Sequence, residues 1–250
     1  MEILGTPPPT AKLTRRILAL LAINPGRSVP VSAMVRELWD SAPLPEKWSG
    51  SIQTYVLKVR QGLDVAYPDR VPPARDILAT RPGGYVLEVS PMDVDAFRFF
   101  RFVDQATRDY RDGRLREAED TLRAAFSLWN GPLMVDVDPG PLLTIWADSV
   151  REKRREAVSL RFQIDLCQGR HRDVVGALRA EWRADPAFEP TAALLMTALY
   201  RSDRQRDALD VFRDTRNALR EGYGLEPGSR LRLLQQQILR GDPSLELEAK

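Results

Sequence analysis

The stretch WSGSIQTYVLKVRQGL, residues 48–63, followed by ILATRPGGYVLEV, residues 77–89, decides the reading of the chain. In the first segment Trp48, Ile52, Tyr55, Val56, Val59 and Leu63 recur at spacings of three and four, which predicts an amphipathic helix from about Glu46 to Leu63. At 100° per residue, Ser51, Thr54, Lys58 and Gln61 fall opposite or beside that apolar stripe and point outward together. Their hydroxyl and amide groups can hydrogen-bond base edges, and a lysine can reach guanine acceptors or phosphate. Gln53 and Arg60 flank the face and suit the nucleic-acid backbone. Taken alone, the pattern also describes an ordinary solvent-facing helix. The second segment adds context, because Ile77–Thr80 and Tyr85–Val89 flank Arg81-Pro82-Gly83-Gly84 as a β-hairpin with Tyr85, Leu87 and Val89 alternating inward.

Two helices are predicted upstream. Leu13, Ile17, Leu20 and Leu21 share a face, and the run stops at Asn24-Pro25-Gly26. Ser32 can cap a second helix in which Val35, Leu38 and Trp39 share a face, and Asp40-Ser41-Ala42-Pro43-Leu44-Pro45 ends it. Three helices followed by a hairpin make a winged helix-turn-helix. Charge follows the same division: residues 1–91 hold 11 Lys/Arg against 8 Asp/Glu, and residues 92–250 hold 26 against 27. The small net charge of +2 thus conceals a basic excess in the front third, where a nucleic-acid partner would be met.

Beyond residue 91 the pattern is helical throughout. Phe99, Phe102, Val103, Ala106 and Tyr110 form one stripe, and Ala118, Leu122, Ala125, Phe126 and Trp129 form the next. GRLREAEDTL from Gly113, GRHRDVVGAL from Gly169 and DRQRDALDVF from Asp203 repeat one another, the last two 34 residues apart, which is the tetratricopeptide period. The fold class expected is mainly α with a small β component: a winged helix-turn-helix over 1–91 and an all-α, tetratricopeptide-like domain over 92–250. Stacked helix pairs suit protein contacts.

Catalytic chemistry has little to work with. GxxxxGK[ST], HExxH and GxSxG are absent, and His171 is the one histidine, so no histidine-based triad with its usual partners can be assembled. His171 reads as a solvated residue in a polar turn, Cys167 as a small core residue, and Glu119-Asp120 as part of a solvated helix face. The one cysteine excludes an internal disulfide and a CxxC zinc knuckle. With 43% hydrophobic residues and no run long enough for a membrane span, a cytoplasmic, nucleoid-associated protein without cofactor or metal, and with no membrane partner, is expected.

LTRRILALLAINPGRSVPVSAMVRELW (13–39), SIQTYVLKVRQGL (51–63) and TRPGGYVLEV (80–89) resemble the DNA-binding domain of the Streptomyces antibiotic regulatory protein family. DVDAFRFF (93–100), LWNGPL (128–133), CQGRHRDVVGAL (167–178), ALYRSDRQRDALDVF (198–212) and GLEPGSRLRLLQQQIL (224–239) resemble its bacterial transcriptional activation domain. The resemblance implies an OmpR-like fold whose helix with Thr54 and Lys58 enters the major groove of direct repeats near a promoter's −35 element, with Arg81 in the adjacent minor groove. It implies RNA polymerase as a partner, met through its sigma subunit by the loop carrying Asp40, Ser41, Leu44 and Glu46, and side-by-side protomers on DNA at secondary-metabolite genes. The family has several strands before the first helix, whereas Met1–Gly5 leads through Thr6–Thr10 almost directly into it, so a shortened N-terminal sheet is expected. A protein-binding adaptor with little specific DNA binding, and a sensor holding a small molecule in the helical domain, are the alternatives.

Overall fold

A computed structural model of the chain describes residues 12–40, 43–66, 73–129 and 131–246. The expected N-terminal sheet falls on residues 1–10 and lies outside them. Eleven helices and three strands follow in order among the described residues. Helix α1 is Lys12–Ala22, β1 Ser28–Pro30, α2 Val31–Trp39, α3 Trp48–Ala66, α4 Ala74–Ile77, β2 Leu78–Arg81 and β3 Gly84–Leu87. Then come α5 Asp95–Arg111, α6 Leu115–Ser127, α7 Pro141–Cys167, α8 His171–Ala184, α9 Glu189–Tyr200, α10 Gln205–Tyr223 and α11 Ser229–Arg240. Packing divides the chain into two compact units, Met1–Gln105 with Arg123–Arg154, and Ala106–Leu122 with Arg155–Lys250.

In the first unit, α1, α2 and α3 enclose a core of Ile17, Leu20, Leu21, Met34, Leu38, Ile52, Val56, Val59 and Leu63, closed by Leu78, Tyr85 and Leu87 of the hairpin. A hairpin forms about Pro82-Gly83, with Gly83 at φ +75° in its tight turn, but its strands are shifted from the expected bounds: Ile77 ends α4, and Arg81 and Gly84 pair with each other as strand residues. A third strand was not foreseen. Ser28–Pro30 pairs antiparallel with β3, placing β3 at the centre of a β1-β3-β2 sheet. All four β3 residues are consequently buried, Val86 as well as Tyr85 and Leu87, while Val89 lies past the strand and is only partly covered. Pro30 occupies the cap position of α2 with no side-chain cap bond, and Ser32, the expected cap, is an exposed residue inside the first turn. The start of α3 moves to Trp48 because Pro45 to Lys47 form a turn, and its end moves to Ala66.

Helix α1 is buried on nearly every side because it has two cores to serve. Its far side, at Ala19, packs on Met134, Val137, Leu143 and Ala147. Over that second core sits an ionic clasp. Glu37 of α2, 1% exposed, turns its carboxylate onto the start of α7 and accepts hydrogen bonds from the backbone N–H of Gly140 (2.5 Å), Leu142 (2.8 Å) and Leu143 (3.2 Å). Those N–H groups have no partner inside the helix, and an anion there also meets the positive end of the helix dipole. Arg16 of α1 completes the clasp. Its guanidinium donates to the Glu37 and Leu38 carbonyls at the end of α2, to the Asp138 carbonyl, and to the Asp138 carboxylate at 2.6 Å. Asp138 also pairs with Lys12 at 3.0 Å; the hydrogen bond from Lys12 and the charge of Arg16 hold its carboxyl below the usual carboxylate range. Gly140 has to be glycine here, since a Cβ would be built into the Glu37 carbonyl oxygen.

The second unit is built from helix pairs around Phe162, Leu166, Leu178, Trp182, Leu195, Leu199, Phe212, Leu231 and Ile238. A buried hydrogen bond from Trp182 Nε1 to Thr215 Oγ1 (2.9 Å) satisfies the two polar atoms inside it. The repeat read from sequence is a repeat of turn geometry. Arg114 N–H bonds back to Asp109, Arg170 to Asp165 and Arg204 to Leu199, each across a left-handed residue: Gly113 (φ +78°), Gly169 (φ +78°) and Asp203 (φ +62°). In the first two turns the arginine also clamps the helix it follows, Arg114 onto Asp109 and Arg170 onto Asp165. Arg170 reaches Glu119 as well (3.2 Å), so that carboxylate is paired and not merely solvated.

Two stability outcomes follow. Glu37→Ala leaves three N–H groups of the α7 start without acceptors and is expected to destabilise the chain by about 3 kcal/mol, with Glu37→Gln losing less. Urea unfolding of the full chain reads this, and unchanged midpoints would refute the clasp. Asp203→Gly relieves a left-handed aspartate and is expected to gain about 0.5 kcal/mol, a rise in Tm of about 1–2 °C by calorimetry.

Candidate nucleic-acid interface

The candidate interface is the outer face of α3 with the hairpin beside it. The helix can expose a polar face because its apolar stripe alone carries the packing: Ile52, Val56, Val59 and Leu63 are each at most 5% exposed. Of the predicted face Thr54, Lys58 and Gln61 are exposed and Ser51 is half-buried, and Gln53, which flanks it, is exposed. Thr54 Oγ1 donates to the Gly50 carbonyl (2.9 Å) and Ser51 Oγ to the Lys47 carbonyl (3.3 Å). With their protons turned inward, both hydroxyls present lone pairs outward, which matches donor groups on a partner such as base amino groups.

Arg60 has a use inside the domain. Its Nε (3.0 Å) and Nη2 (2.6 Å) both donate to the Leu78 carbonyl, and Nη2 also donates to Thr80 Oγ1 (3.0 Å). The guanidinium therefore ties α3 to β2 and fixes the helix relative to the hairpin. Arg81 ends β2 at the turn, exposed, with Nη2 2.7 Å from the Glu88 carboxylate. That ion pair is solvent-exposed and weak enough to exchange for another anion.

Of the residues in the loop between α2 and α3, Asp40, Leu44 and Glu46 are exposed and Ser41 lies outside the described residues. Leu44 keeps half of its surface in solvent. Asp40 is 4.0 Å from Arg36 on the preceding turn.

The residues singled out in the second unit fare differently. Cys167 is exposed, not a core residue, because Leu166 before it takes the buried position at the end of α7. Its Sγ lies 3.6 Å from the Tyr110 hydroxyl, whose pKa is pushed up to about 12 by burial first and the cysteine second. His171 opens α8 half-buried, with Nδ1 shielded from water, so it is not the fully solvated residue expected. Among the described residues no three His, Cys, Asp or Glu side chains converge as metal ligands, and no helix is long and apolar enough to cross a membrane.

The architecture defines a winged-helix protein carrying a helical-repeat region, a combination met in bacterial transcription regulators. Residues 94–239 match the bacterial transcriptional activator domain family. The chain is 37% identical over 239 residues to the regulatory protein DnrI of Streptomyces peucetius, covering 95% of this chain and 88% of DnrI. It is 33% identical over 234 residues to the transcriptional regulator RedD of Streptomyces coelicolor, covering 93% and 65%. AfsR of the same organism is 34% identical over 94% of this chain, which spans only 23% of AfsR. A solved structure of Mycobacterium tuberculosis EmbR in complex with a low affinity phosphopeptide superimposes with a TM-score of 0.88 at 32% identity, covering 95% of this chain and 61% of that one. The chain belongs to the Streptomyces antibiotic regulatory protein family of transcriptional activators.

The Arg60 tie gives a direct test of how the surface is held. Arg60→Ala is expected to cost about 1–2 kcal/mol in thermal unfolding through the lost bonds to Leu78 and Thr80, with Arg60→Lys restoring only part, since lysine cannot make the fork. A stability equal to the parent's would show that the tie contributes nothing.

Proposed function

We propose that the chain is a sequence-specific activator that binds direct repeats near promoter −35 elements of secondary-metabolite genes, with residues 1–91 gripping DNA and 92–250 acting as the activation domain. The observation that carries this reading is the polar outer face of α3, held beside a hairpin in the three-helix order of a winged helix. In it Ser51, Thr54 and Gln61 face base edges, Lys58 reaches guanine or phosphate, and Gln53 lies towards the backbone. Arg60 sets the angle of the helix and stays close enough to the backbone to add its charge. Arg81 exchanges Glu88 for the adjacent minor groove.

The loop carrying Asp40, Ser41, Leu44 and Glu46 meets the sigma subunit of RNA polymerase, its two acids pairing with a basic partner surface. Protomers lie side by side on the repeats. Regulation by binding, and not catalysis, is the role that family membership supports, and the cytoplasm, at the nucleoid, is where such a role is exercised. The phosphopeptide in that structure is EmbR's.

The test is binding of the full chain to a promoter fragment bearing direct repeats and to a scrambled fragment across a salt series, with Lys58→Ala alongside. The parent is expected to prefer the repeats by at least about 10³-fold. Lys58→Ala is expected to weaken binding, and to lower the slope of log K against log salt by about 0.9 if the lysine meets a phosphate. With no fragment preferred and no effect of the substitution, α3 is not a recognition helix and the adaptor reading takes its place.

A further inference from the structure

Within its polar face helix α3 holds one apolar side chain that the core does not bury. Leu57 keeps 53% of its surface exposed while Ile52, Val56, Val59 and Leu63 of the same helix are buried. Its helical neighbours three and four positions away are Thr54, Gln53, Arg60 and Gln61, and Lys58 follows it directly. Leu57 therefore sits in the middle of the face proposed to read DNA, as an isolated apolar group ringed by hydrogen-bonding side chains. Val65, the other exposed apolar residue of α3, lies two turns further on, at the end of the helix.

The isolation narrows the choice of partner. A protein surface that buries leucine does so through a contiguous apolar patch, and the ring of polar neighbours denies one here. The major groove offers the opposite arrangement: dense donors and acceptors with a single kind of apolar group, the 5-methyl of thymine. We infer that Leu57 is a specificity-determining residue whose isobutyl group packs on a thymine methyl in each repeat, flanked by the polar contacts of Gln53, Thr54 and Gln61. The inference rests on the DNA-reading function proposed above and adds a base preference to it.

Deoxyuridine makes the test direct, because it keeps every hydrogen-bonding group of thymidine and lacks only the methyl. A preferred duplex is selected from a random pool by the full chain, and its thymines are replaced one at a time. One position in each repeat is expected to weaken parent binding about fourfold, the factor for losing one buried methyl-sized contact. Leu57→Ala should bind the unmodified duplex as weakly as the parent binds the substituted one, and should be indifferent to replacement there. Leu57→Met, which keeps an apolar side chain of similar reach, should retain the sensitivity and guards against a folding defect in the alanine variant.

The inference is overturned if Leu57→Ala keeps the parent's sensitivity at every thymine, or if the parent is sensitive at none. Loss of self-association in Leu57→Ala, with thymine sensitivity unchanged, would assign the leucine to a contact between copies and overturn it equally. Failure of the pool to yield any preferred sequence would instead remove the DNA-reading function itself, and this inference with it.

Discussion

The carboxylate of Glu37, buried against the first turn of α7, is the interaction on which the first unit depends. A lone buried carboxylate would be costly, and this one is tolerated because three backbone N–H groups, themselves in need of acceptors, close around it. Arg16 makes the arrangement two-sided, capping the carbonyl end of α2 while its other donors hold Asp138. The middle helix of the winged helix and the start of a helix more than 100 residues later are thereby joined by charge-assisted bonds over a shared apolar core. The winged helix shares α1 with a second core from residues beyond it in sequence, and α1 and α2 set where α3 docks.

From that frame the candidate interface follows in two steps. The apolar stripe of α3 docks on α1 and α2, which leaves the opposite face free, and Arg60 then spans to β2 so that helix and hairpin present one surface. The second unit uses a different device. Its helix pairs are closed by the same six-residue turn three times, with Asp203 accepting in the third turn a conformation that glycine takes in the others. Membership of the antibiotic regulatory protein family is consistent with both halves of this construction, and the shared fold with EmbR extends over nearly the whole chain.

Much of this was legible in the sequence wherever periodicity carries the signal. The stripe from Trp48 to Leu63, the hairpin about Pro82-Gly83 and the repeated turns all emerge at their places, because local pattern and tertiary burial agree there. What escaped was what depends on distant partners. Ser28–Pro30 is too short and too proline-bearing to show strand alternation, and it is a strand only because β3 lies beside it. Glu37 looks like a surface acid in VSAMVRELW, although its spacing from Met34 puts it on the buried side, a signal that could have raised the question. Its acceptor role needs Gly140 and Leu142, over a hundred residues away. The fork of Arg60 onto the Leu78 carbonyl needs a partner 18 residues away and has no local signal, and Cys167 reads as core because one residue of helical phase separates it from Leu166.

We propose that α3 lies in the major groove with the hairpin in the neighbouring minor groove. Paired footprints on a selected duplex test it most directly, methylation protection reporting guanine N7 in the major groove and hydroxyl-radical cleavage reporting the minor groove. N7 protection is expected within each repeat and radical protection in the adjacent minor groove, the latter lost in Arg81→Ala while the former remains. Protection confined to the minor groove, or unprotected N7 positions throughout a bound duplex, would contradict it.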